Sequence, residues 1–186
     1  SQNEYYSAFK SLQQSADPSG LLFPQYLVPG TEKHITKRVL GWHPYWVSST
    51  AYLSYDYSAL THIAYFSYEV DTATGGFSSV HDWYTTPIIS YAHERGTKVL
   101  LTVTNFGTAK NTELLSDTSK QKYLINNLIT LLKTRNGDGV NFDLESVAVS
   151  QRANLVSFIG RAVTMIKSQL PDAEISMATP AVDWSG

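Results

Sequence analysis

Five apolar, β-branched runs alternate with stretches of helical periodicity, and this pattern predicts an α/β fold built on a parallel sheet. The runs occupy residues 39–46, 62–70, 98–106, 140–144 and 174–179, each separated from the next by room for a loop and a helix. Right-handed crossovers then place the helices on one side of a closing barrel or on both sides of an open sheet. Periodicity does not choose between the two.

Taken in order, residues 1–37 read as an arm or pre-barrel segment. A short helix is expected over 3–14, followed by Asp17-Pro18-Ser19-Gly20 and by Pro24 and Pro29, which favour turns and extended chain. The barrel or sheet proper spans 38–186. After the second strand, Asp71-Thr72-Ala73-Thr74-Gly75-Gly76 reads as a turn, not a phosphate loop, because no strand-to-helix passage carries it. Thr86-Pro87 supplies a cap and a first helical position, Ile88, Ile89 and Ala92 an apolar face, and Gly96 a stop. Between Ser119 and Gly137, Leu124, Ile125, Leu128, Ile129, Leu131 and Leu132 keep helical spacing, with Gly137 as the expected terminator. A further helix is expected from a Ser150 cap, through Leu155, Val156, Ile159, Val163 and Ile166, to Pro171.

Composition narrows the function classes. The 186 residues are 42% hydrophobic and 16% charged, as in an ordinary globular protein. A net charge of -2 gives no electrostatic case for nucleic acid. No apolar run reaches the ~18 residues of a membrane span. Without cysteine there is no disulfide or thiolate chemistry, and the five histidines show no His-Glu-x-x-His spacing, so no metal and no cofactor are expected. The 12 Tyr, 4 Trp and 7 Phe offer flat faces of the kind on which sugar rings stack. The chain opens on Ser1 without a leader, as a secreted or cell-surface protein does once its leader is removed.

The segment that carries chemistry is Asp138-Gly139-Val140-Asn141-Phe142-Asp143-Leu144-Glu145. Strand alternation puts Asn141, Asp143 and Glu145 on one face and Val140, Phe142 and Leu144 on the other. Three polar groups on an inward face are costly unless they hydrogen-bond one another. Asp143 and Glu145, about 7 Å apart along the strand, can bring their carboxyl groups together, and like charges that close raise one pKa. A raised carboxyl pKa suits a general acid near neutrality. Glu145 stands nearest the strand's C-terminal end, where barrel enzymes place their chemistry. The plainer alternative is a half-exposed antiparallel strand; the helices flanking it at Gly137 and Ser150 speak against that.

The segment resembles the signature of glycoside hydrolase family 18, with acidic residues at positions one, four, six and eight. Asp138, Asp143 and Glu145 match; Asn141 carries an amide where most chitinases have Asp, as in members of the spore-cortex and bacterial-surface type. Further along, the run from Val39 to Trp46 is similar to the family's first strand, Phe66-Ser67-Tyr68 to its second, Leu101-Thr102-Val103-Thr104-Asn105-Phe106 to its third and Ser176-Met177-Ala178-Thr179-Pro180 to its fifth. The resemblance covers about 38–184. It implies a (β/α)8 barrel of the TIM type, of which the first five strands are present, acting on a polysaccharide or glycan by substrate-assisted retention. By that resemblance Glu145 is the general acid and base, Asp143 orients the substrate's acetamide, and Asn141 hydrogen-bonds Asp143. The substrate would be chitin, a peptidoglycan glycan or an N-linked core, all built on N-acetylglucosamine.

Other residues have a choice of roles. Trp42, Tyr45 and Tyr68, near strand ends, line sugar subsites or pack in the core. Asn105 bonds a sugar hydroxyl or caps a loop. Asp138 is a structural residue that hydrogen-bonds the turn into the fourth strand. Met177 and Ala178 include a floor residue of the sugar site, and Ala178 is taken as the substrate-facing one. The family's sixth and eighth strands bring a Tyr and a Trp to the site, and neither strand is present, so the chain reads as a fragment that stops after Asp183-Trp184 and whose open edges invite self-association. Such a fragment alone is expected to be inactive. The rival class is a lectin-like barrel that holds amino sugars without cleaving them, usually after losing the final Glu, which this chain keeps. A flavodoxin-like switch would want acidic residues ending the first strand, and Gly41-Trp42-His43-Pro44 offers none.

Overall fold

The computed structural model describes residues 35–180. The expected helix over 3–14 and the Asp183-Trp184 end lie outside the described residues. Within them run β1 (Leu40–Pro44), β2 (His62–Val70), β3 (Phe77–Ser79), α1 (Ile88–His93), β4 (Lys98–Phe106), α2 (Thr108–Leu115), α3 (Thr118–Arg135), β5 (Gly139–Glu145), α4 (Arg152–Gln169) and β6 (Glu174–Met177). Neighbours follow chain order, β1-β2-β4-β5-β6, and every pair along that path is parallel. β3 lies off the path, folded back antiparallel on the end of β2. It was not expected: three residues carry no period.

All four helices pack on one face of the sheet. Ile88, Ile89 and Ala92 of α1, Leu114 and Leu115 of α2, Leu124 to Leu132 of α3, and Phe158, Ala162 and Ile166 of α4 join Val99, Leu101, Val103, Val140, Phe142 and Leu144 in one buried cluster. Ala64, Leu100, Thr102, Asn141 and Asp143 are also buried but lie outside that cluster, on the opposite face. An open doubly wound sheet would carry helices on both faces; sequential order with one covered face is barrel geometry.

Helix ends differ in detail from the sequence expectation. α3 starts on Asp117, whose carboxylate accepts from the Ser119 and Lys120 N–H groups, and ends on Asn136 in the left-handed conformation, one residue before the expected Gly137. Ser150 falls inside a 3-10 turn (Val149–Gln151), so α4 starts without a side-chain cap. α2 was not expected at all, because its only apolar side chains facing the core are Leu114 and Leu115.

One irregularity decides which way β2 points its side chains. Phe66 pairs with Thr102, but Tyr68, not Ser67, pairs with Val103, and the Phe66–Ser67 peptide is cis. Before this bulge Ile63 and Tyr65 face the helices; after it Tyr68 and Val70 do. Ser67 and Glu69 are thereby moved to the inner face, where Ser67 Oγ lies 3.2 Å from Thr104 Oγ1.

At the N-terminal ends of the strands the sheet is tied by charge. Glu174 takes the Lys98 ammonium, Arg38 Nη1 at 3.0 Å and His62 Nε2 at 3.1 Å. The β5–β6 approach beside it tolerates no side chain at Gly139, where an added Cβ would fall 1.9 Å from the Glu174 carbonyl oxygen.

Candidate active site

The C-terminal ends of the parallel strands hold a different arrangement of carboxylates. Val140, Phe142 and Leu144 commit one face of β5 to the helices, which turns Asn141, Asp143 and Glu145 to the other. Asp143 is buried and Glu145 half-buried. Burial, and after it the negative charge of Glu145, pushes the Asp143 carboxyl up to about 6. Burial also raises Glu145. Among the described residues neither carboxylate has a cationic partner.

Asn141 is spent otherwise than expected. Its Nδ2 donates to Ser176 Oγ on β6 at 2.8 Å, and its Oδ1, like Thr102 Oγ1 directly across on β4, is buried without a hydrogen-bond partner among the described residues. The expected bond from Asn141 to Asp143 is therefore not made; the neighbouring strand offered a nearer acceptor. Asp138, at the opposite end of β5, accepts at Oδ2 from Val99 N and lies 2.7 Å from His93 Nε2, which ties β5 to β4 and to α1.

Two of the sequence candidates are removed from any sugar. Tyr68 is 0% exposed. The β2 bulge turns it to the helix side, where its hydroxyl donates to the Gly75 carbonyl and its ring meets Phe77 edge-on at 5.3 Å. Asn105 shares the helix-side parity of Val103, is buried, and donates through Nδ2 to Asn111 Oδ1 at 3.0 Å. It serves the protein's own frame instead of a ligand hydroxyl.

The remaining candidates stay accessible. Trp42, on the inner face of β1 across from Ala64, is 50% exposed. Tyr45 is 36% exposed and stacks face to face on His81, centroids 3.4 Å apart and planes 8° apart. His81 Nε2 lies 2.9 Å from Glu69 Oε1. Ala178 continues the ladder, its N–H donating to Phe142 O, while Met177 packs toward the helices.

Sequence reasoning missed Glu69, His81, Ser176 and Asn111. Glu69 pairs with Thr104, and Thr104 with Asp143, so all three occupy one row across the inner face. Two strand spacings put the Glu69 and Asp143 backbones about 10 Å apart. No local pattern marks Glu69, since only the bulge turns it inward. Asn111 did leave a signal: it occupies the core-facing stripe of α2 with Leu114 and Leu115, where an amide is out of place. Among the described residues no three His, Asp or Glu side chains converge as a metal cage, and no helix is long and apolar enough to cross a membrane.

Residues 38–185 match the sequence model of the glycosyl hydrolases family 18. Among solved structures the chain is similar to a chitinase from Bacteroides thetaiotaomicron, with 20% identity, a TM-score of 0.66, and 77% of this chain and 46% of that one covered. It is similar to the spore cortex-lytic enzyme SleL of Bacillus cereus, with 20% identity, a TM-score of 0.63, and 75% and 34% covered. It is similar as well to a chitinase from Cycas revoluta solved in complex with (GlcNAc)3, with 19% identity, a TM-score of 0.63, and 75% and 45% covered. At such identities the likeness concerns the fold, and the five parallel strands are part of a (β/α)8 barrel. The chain spans less than half of each of these proteins. No curated protein sequence matches it.

Proposed function

This chain belongs to the glycosyl hydrolases family 18, and from that premise we propose that it carries the acid machinery of a glycosidase for β-linked N-acetylglucosamine glycans. The observation that supports this most is the β5 dyad: two carboxylates on one face, both raised, with Asp143 held at about 6 and, among the described residues, no cation paired with either. Such a pair retains a shared proton in mildly acidic solution, where an isolated carboxylate has lost it.

In the proposed mechanism that proton sits on Glu145 when the glycosidic bond breaks, and passes to the leaving oxygen. The carbonyl oxygen of the substrate's own N-acetyl group attacks the anomeric carbon as that bond opens. The product is an oxazolinium ion. Asp143, now ionised, orients the acetamide and faces its positive charge, a preorganised electrostatic role. Water then attacks the anomeric carbon and gives its proton to Glu145. Asn141 holds β6 through Ser176 on the same inner face as the dyad, without bonding Asp143. As an amide it takes no proton itself, so no carboxylate relay extends below Asp143. Trp42 and Tyr45 supply aromatic faces for neighbouring sugars, with Ala178 leaving room at the floor. A polymer of this kind places the enzyme's work outside the cell or at its surface.

The test uses the full gene product on two matched β-1,4 oligomers, one of N-acetylglucosamine and one of glucose. Only the first should be cut, because glucose lacks the acetamide nucleophile; comparable turnover of both would exclude substrate assistance. Tight binding of the N-acetylglucosamine oligomer without cleavage would assign the lectin-like alternative instead.

A further inference from the structure

Glu145 is the last residue of β5, and beyond it Ser146 turns the chain away with a φ of 64°. A side chain at such an end has no following strand residues to fix its direction. Its backbone is nonetheless held from the β4–α2 connection. The Glu145 carbonyl accepts from Gly107 N at 3.1 Å and from Asn111 Nδ2 at 2.6 Å, while Thr108 Oγ1 donates to the Ser146 carbonyl at 3.0 Å. Gly107 reaches this place with a φ of 101°, a conformation that favours glycine, and its own carbonyl accepts from Asn111 N.

Asn111 is 0% exposed. A buried amide costs about 1–3 kcal/mol when left unpaired, and an aliphatic residue beside Leu114 and Leu115 would pack there at no such cost. Both ends of this amide are used. Oδ1 accepts from Asn105 Nδ2, and Nδ2 donates to Glu145 O. The orientation is fixed by chemistry, because a peptide carbonyl can only accept, so the nitrogen must face Glu145 and the oxygen must face Asn105. The Glu145 carbonyl thus selects which end of Asn111 meets the strand, and Asn105 pairs the other end and holds it there.

We infer that Asn111, held in place by Asn105, is a positioning residue that sets the direction of the Glu145 carboxyl through its backbone carbonyl. The inference rests on the reading of Glu145 as the proton donor. Neither asparagine touches substrate. Their effect falls on proton delivery, and it is felt only where the leaving group needs that proton.

This predicts a signature that a merely structural role would not produce. In the full gene product, Asn111→Leu should lower kcat on an N-acetylglucosamine oligomer by about 10- to 100-fold, the scale expected for a misplacement near 1 Å. KM should stay unchanged. On an aryl glycoside whose nitrophenolate departs unprotonated, the loss should shrink to within about twofold, since the misplaced proton is no longer required. Asn105→Ala, which removes only the donor to Asn111 and leaves Asn111 itself unchanged, should show a smaller loss with the same dependence on leaving group. Equal losses on both substrates, a change confined to KM, full activity of both variants, or failure of both to fold would each overturn the inference. Glu145→Gln in the same assay separates the two claims. If it keeps natural turnover, the reading of Glu145 fails; if it loses turnover while the asparagine variants do not, only the positioning role fails.

Discussion

The two ends of this sheet carry the same kind of group under opposite electrostatics. At the N-terminal ends Glu174 faces Lys98, His62 and Arg38; burial alone would raise its pKa, but those partners outweigh burial and hold it below the usual carboxylate range. At the C-terminal ends Asp143 and Glu145 face each other, and both stand above it. A carboxylate given cations is fixed as an anion and has no proton to give. A carboxylate given burial and a like neighbour keeps a proton within reach of physiological pH. Barrels separate stability and chemistry between their two ends, and here the carboxylates at the two ends are shifted in opposite directions.

The contrast is tested most severely at Glu145. Glu145→Gln keeps shape and removes the transferable proton, so kcat on the natural glycan in the full gene product should fall by about 10² to 10⁴. The loss should be smaller on an activated aryl glycoside, and near-normal turnover of the natural glycan would dissolve the distinction between the two ends. Asp143→Asn should be nearly as damaging, and on both substrates alike, because acetamide orientation is needed whichever group leaves.

Asp143→Asn should also stabilise the fold. A pKa raised to about 6 in the folded chain, against an unfolded value near 3.8, means that ionising Asp143 opposes folding. The penalty is absent below about pH 4, where the group is protonated in both states, and is complete once pH has risen through 6. The variant should therefore gain several degrees in Tm at pH 7.5 and nothing at pH 3.5. A Tm difference independent of pH would remove the buried-charge account.

Asn141→Ala should cost only several-fold in kcat, since it removes a support and no reacting group, and a loss as large as that of Asp143→Asn would mean the amide itself touches the acetamide. The smallest effect belongs to the other end. Glu174→Gln should leave kcat and KM unchanged and lower Tm slightly at neutral pH. The lowered pKa of Glu174 contributes stability that is present above its unfolded value near 4.5 and lost as pH falls through the folded one. The variant's Tm should accordingly be flatter over that acidic range, and any loss of turnover would show that the lower cluster is not confined to holding the sheet.

The places along the chain of the five parallel strands and of α1, α3 and α4, and the face on which Asn141, Asp143 and Glu145 lie, were legible from the residues alone. Both depend on short periods, 2.0 for a strand and 3.6 for a helix, which a window of the chain contains in full. The fate of Tyr68 was not legible. It lies one residue beyond a bulge whose position is set by pairing with β4, and that shift exchanged the faces of Tyr68 and Glu69. Asn105 was lost to its role as a sugar contact for a related reason: its partner Asn111 belongs to a helix with only two apolar side chains, Leu114 and Leu115, on its core face to announce it. The charge cluster at Glu174 draws on residues 38, 62, 98 and 174, distant in sequence and brought together only by strand register. What one strand does with its own alternation is local, and the sequence by itself determined it. Which side chains meet across strands depends on register, and register is a property of pairs, decided only when the sheet is assembled.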